Sequence, residues 1–126
     1  MKTFIFILIT LAICTGLYAA NDIMVAPTSS MTSSGLKTSS AAISTGLGLF
    51  GGIIMKTDGT NDETVVVYDN ASASSGTVLF TGTCIGANIS CVFAPPWPVS
   101  YDNGIYAYMT GSGTPTYVIY YDSRGK

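Results

Sequence analysis

The residues of this 126-residue chain with chemistry to offer are seven Asp and Glu side chains and three cysteines, and there is no histidine. Without imidazole, neither a Ser-His-Asp nor a Cys-His nucleophile pair can be assembled, and a histidine metal site is excluded as well. The acids come nearest to a site in Asp58-Gly59-Thr60-Asn61-Asp62-Glu63, where Asp58, Thr60 and Asp62 alternate as the first ligands of a calcium loop do. The position that such a loop reserves for glycine holds Glu63, and its last ligand position falls on Asp69 in an expected strand. A solvated turn is therefore the preferred reading, and no metal site is assigned. Glycoside hydrolysis needs two carboxylates converging across a cleft, and acids scattered among turns single out no pair. The glycine pairs Gly46-Leu47-Gly48 and Gly111-Ser112-Gly113 precede no helical segment, so no phosphate cradle is expected. No catalytic residue and no cofactor are assigned, and the chain is read as a non-enzyme.

Aromatic side chains form the second group. Period-2 alternation puts Tyr106 and Tyr108 on one face of an Ile105 to Thr110 strand, opposite Ile105, Ala107 and Met109. In the last strand Tyr117, Ile119 and Tyr121 oppose Val118 and Tyr120. Together with Trp97, at a proline-rigid corner, the tyrosines Tyr106, Tyr108, Tyr117 and Tyr121 make a candidate face for sugar rings or for a neighbouring subunit. The subunit is the preferred occupant.

The cysteines point to export. Met1-Lys2 carries one positive charge, Thr3 to Tyr18 is uncharged, and Ala19-Ala20 is a small pair followed by Asn21-Asp22. That is the layout of a secretory signal peptide over residues 1–19, shorter in its apolar run than a membrane-spanning helix. The branched Leu11-Ala12-Ile13 before Cys14 argues against lipidation there. Removing the leader takes Cys14 away and leaves Cys84 and Cys91, with six residues between them, as an expected disulfide. It also takes Lys2, leaving four basic residues against seven acidic ones. No basic footprint remains for nucleic acid, and no membrane partner is expected once the leader is gone.

The elements that must position these residues read as β structure throughout. Pro27 to Ser40 is dominated by serine and threonine, so residues 20–40 are expected to form a flexible arm, with Ile23-Met24-Val25 as an isolated apolar patch able to dock on a neighbour. Residues 41–126 alternate short apolar or β-branched runs with turn clusters. Leu47 to Lys56 is broken by Gly51-Gly52, which suggests a bulge or close approach. Glu63 to Asp69, β-branched on both faces, is expected to be central. Pro95, Pro96 and Pro98 interrupt pairing, and Asn103-Gly104 is a hairpin dipeptide. Seven or eight short strands at this spacing predict a single all-β domain, a β-sandwich or jelly roll. Asn70-Ala71-Ser72 and Asn88-Ile89-Ser90 match the glycosylation acceptor pattern.

Lys56 to Leu79 (KTDGTNDETVVVYDNASASSGTVL) and Tyr101 to Tyr121 (YDNGIYAYMTGSGTPTYVIYY) resemble small all-β, jelly-roll-like accessory or decoration proteins of tailed-phage virions. The resemblance implies a virion accessory or decoration subunit with no catalytic residues to carry over. The leader and the Cys84/Cys91 pair depart from that group, whose members assemble in the cytoplasm. The expectation is an exported, non-enzymatic subunit on a virion or cell surface, with itself or other surface subunits as partner. A secreted carbohydrate-binding module that takes glycans on its aromatic face is the alternative.

Overall fold

A computed structural model describes residues 31–87 and 90–124. The expected leader, residues 20–30 of the expected arm, and Asn88-Ile89 lie outside the described residues. Nine strands run through the described chain: β1 (Thr32–Ser33), β2 (Ala41–Thr45), β3 (Gly48–Lys56), β4 (Glu63–Asp69), β5 (Thr77–Cys84), β6 (Ser90–Phe93), β7 (Val99–Tyr101), β8 (Gly104–Thr110) and β9 (Thr116–Ser123). They form two antiparallel sheets, one ordered β1-β9-β3-β6 with β7 also paired to β3, the other ordered β2-β8-β4-β5. β4 is central, as its double-sided β-branching requires.

The two inner faces make one core. Phe50, Ile53, Met55, Tyr117 and Ile119 of the first sheet meet Val65, Val67, Cys84, Ile105 and Ala107 of the second. Phe80 of β5 bridges the sheets, with ring centroids 5.8 Å from Phe50 and 5.5 Å from Phe93. Strict alternation along β3 would turn either Phe50 or Ile53 outward, yet both are buried. The register of β3 against β9 shifts between Phe50 and Gly52, and this bulge at the glycine pair resets which side faces the core. Gly52 has φ +147°, and a Cβ there would lie 2.7 Å from the Phe93 carbonyl oxygen. Glycine is what this position needs.

Residues 32–40, assigned above to the arm, are part of the sandwich. Thr32 and Ser33 pair with Tyr121 and Tyr120, and Lys37 bridges to Tyr117. The Ser34 amide donates to the Ile119 carbonyl at 2.9 Å, and the Tyr117 hydroxyl donates to the Ser39 carbonyl at 2.9 Å. Covering the edge of β9 needs backbone amides and carbonyls, not buried side chains, so a Ser/Thr-rich segment serves. Met31 lies over Gly51, where a Cβ would collide with its thioether.

Among the described residues only β4 and β5 are joined as a hairpin of chain neighbours within one sheet. The Asn103-Gly104 turn, expected to be a hairpin, joins β7 in one sheet to β8 in the other and is a corner. Alternation fixes which side chains share a face but not which sheet a strand joins, so the dipeptide alone could not separate the two cases. Asp69 at the end of β4 holds this corner, accepting the Asn103 amide at 2.7 Å and the Asp102 amide at 3.1 Å. Burial pushes its carboxyl up, but the amides of Asn103, Asp102 and Gly104 outweigh that and hold it below the usual carboxylate range. The crossing from β5 to β6 is closed by the Cys84–Cys91 disulfide, with Cα atoms 5.8 Å apart. Among the described residues no helix is long and apolar enough to cross a membrane.

Two outcomes follow from these corners. Because the Asp69 carboxyl is depressed in the folded state, its stabilisation is present above the unfolded carboxylate value near pH 4 and is lost as pH falls through the folded value. Asp69→Asn is expected to cost about 1 kcal/mol at neutral pH, and urea melts of the two proteins should converge as pH drops below about 4. Replacing both Cys84 and Cys91 by Ser should lower stability by roughly 2–3 kcal/mol in the same assay.

Candidate functional site

The five aromatic residues grouped from the sequence do not share a face. Tyr106 and Tyr108 point outward from the second sheet, where Tyr108 is 39% exposed. Tyr117 is 1% exposed and belongs to the core of the first sheet, and Tyr121 packs against that core. Trp97 stands 71% exposed in the proline segment between β6 and β7. Both parities of β9 carry apolar rings or branches, so its sequence does not reveal that Tyr117, Ile119 and Tyr121 are the inner set. Burial pushes the Tyr117 hydroxyl up to about 12.

Tyr106 and Tyr108 instead join residues that the sequence reading left aside. Register places Ala42, Tyr106, Tyr68 and Val78 in one row across β2, β8, β4 and β5. The next row is Tyr108, Val66 and Thr81, and the one after it is Thr110, Thr64 and Thr83. The Thr64 and Thr83 hydroxyls are hydrogen-bonded at 2.8 Å. These ten side chains form a sheet face with no charge on it, and Val78 on that face is 50% exposed. The outward parity of β4 (Thr64, Val66, Tyr68) is the signal that pairs with Tyr106 and Tyr108. It becomes readable only once β4 and β8 are known to be neighbours.

The acidic turn between β3 and β4 is also rearranged relative to a calcium loop. Asp58 Oδ1 accepts the amides of Thr60 and Asn61, each at 2.8 Å, and its Oδ2 accepts the Asn61 carboxamide at 2.6 Å. The Asn61 amide, then its carboxamide and the Thr60 amide, hold Asp58 below the ordinary carboxylate range. Asp62 accepts the Gly86 amide at 2.7 Å in the β5–β6 crossing. Asp58 therefore caps its own turn, taking the Thr60 amide, while Asp62 is engaged with the β5–β6 crossing. Among the described residues no three Asp, Glu, Cys or His side chains gather. Beside the turn opens a cleft of about 540 Å³ lined by Leu36, Lys56, Thr57, Asp58, Thr114 and Thr116. Asn70, the first acceptor asparagine, takes the amides of Ser72 and Ala73 at 2.9 and 3.1 Å.

Comparison of the chain with protein-family models, with curated proteins and with solved structures finds no match.

Alkaline titration followed by tyrosinate absorbance should show the Tyr117 hydroxyl ionising near pH 12. Tyr117→Phe, which removes that phenol and its bond to Ser39, should delete this late step and destabilise the domain by about 1 kcal/mol.

Proposed function

We propose that this protein is an exported, non-enzymatic structural subunit that self-associates through the outer face of the β2-β8-β4-β5 sheet, on a virion or a cell surface. The observation that carries the reading is the uncharged face itself, with Tyr68, Tyr106, Tyr108, Val66 and Val78 set among threonines. Four strands about 5 Å apart and some seven residues long present a flat patch of roughly 450 Å², about half of the roughly 800 Å² per partner of a standard interface. Tyrosine with charge excluded is the composition of interface centres. A face without charges places no demand for an oppositely charged partner, so a second copy satisfies it by two-fold symmetry.

The strand order supports the architectural half of the reading. β1-β9-β3-β6 against β2-β8-β4-β5 is the interleaving of a double-sheet jelly roll, an architecture that viral capsid domains and lectins use. The leader-like N-terminus and the Cys84–Cys91 disulfide support export.

Light scattering on the mature protein should give a mass above that of one chain. Tyr108→Lys, which places a charge at the centre of the face, should weaken association at least tenfold, about 1.4 kcal/mol, while Trp97→Ala leaves it unchanged. A monomeric wild type at high concentration would remove the reading. Dissociation by Trp97→Ala would move the contact to the proline corner.

A further inference from the structure

Glu63 begins β4 and is wholly buried. Its Oε1 accepts the Gly113 amide at 3.0 Å, while its Oε2 is buried with no hydrogen-bond partner. A carboxylate taken out of water keeps its charge only when a counter-charge or a full set of donors compensates it. Neither Lys nor Arg does so: among the described residues the ion pair is Arg124 with Asp122.

A second carboxylate meets Glu63 at the same place. Asp58 Oδ2 and Glu63 Oε1 both lie beside the point a Cβ on Gly113 would occupy, and Glu63 Oε2 lies where a Cβ on Gly111 would be. The loop Gly111-Ser112-Gly113 admits these oxygens because it has no side chains at its two glycines. Being next to one point, the two oxygens are no more than about 5 Å apart, the separation of two ligands on one ion with bonds of 2.3–2.6 Å. Asp58 Oδ1 accepts the Thr60 and Asn61 amides and its Oδ2 the Asn61 carboxamide, which fixes the carboxyl group in this position. Two ionised carboxylates this close repel, and a cation between them removes that repulsion.

We propose that Asp58 and Glu63 bind one calcium ion at the junction of the β3–β4 turn and the β8–β9 loop. The ion supplies the counter-charge that the buried Glu63 lacks. Calcium fits better than magnesium because it accepts six to eight oxygens in flexible geometry, carbonyls and waters included. Asn61 Oδ1, which accepts the Ser112 hydroxyl at 3.3 Å, is a further oxygen in the same turn. The cleft beside the turn brings solvent to Asp58. Lys56, also on that cleft, makes no ion pair with Asp58. The site is distinct from the tyrosine face and does not depend on self-association.

The test is calorimetric titration of calcium chloride into the chelator-treated mature protein, with thermal melts in about 5 mM calcium and in EGTA. One ion per chain and a melting temperature about 4 °C higher in calcium are expected. Asp58→Asn, an exposed substitution, should weaken binding at least tenfold, and Glu63→Gln should abolish both the heat and the shift. Absence of heat in the wild type overturns the proposal, as does calcium binding that survives in Asp58→Asn at wild-type affinity. If Glu63→Gln does not fold, the wild-type and Asp58→Asn titrations decide the matter.

Discussion

The structure depends on how β4 ends. It begins at Glu63 and finishes at Asp69, and each carboxylate accepts backbone amides from a corner where the chain passes between sheets: Gly113 at one end, Asp102 and Asn103 at the other. A sandwich with one hairpin has many such corners, and each exposes amides that no ladder can pair. Neighbouring acids extend the arrangement, with Asp62 on Gly86 and Asp58 on its own turn. The low acid count of the chain is concentrated where backbone would otherwise go unpaired.

Much of this was legible in the residues. The central place of Glu63 to Asp69, the bulge at Gly51-Gly52, the proline interruption after Phe93 and the inner and outer sets of Ile105 to Thr110 all follow from side-chain shape and period. The alternation of β9 was legible too, but its orientation was not, since Val118 and Tyr120 are as apolar as the set that faces the core. The corners were hidden because Asn103-Gly104 serves a hairpin and a sheet-to-sheet turn alike. The burial of Glu63 was hidden because nothing local says that Gly111 and Gly113, some fifty residues on, will close over it.

The same limit governs the candidate surface. Tyr106 and Tyr108 were visible as a pair, whereas Tyr68, Val66 and Val78 join them only through the pairing of β4 with β8 and β5. Function on a sheet face is a property of register, and register is long-range information. The aromatic grouping failed for this reason: Tyr117 and Tyr121 belong to the other sheet and look inward.

The near absence of hairpins also sets the order of assembly. β4 and β5 can pair as soon as both exist, but β9 lies between β1 and β3, so the first sheet stays open until the last strand has been delivered. Pairings of such long sequence separation close slowly. A chain threaded outward from its N-terminus would therefore spend its transit without a finished core, and the sandwich would close only on the far side.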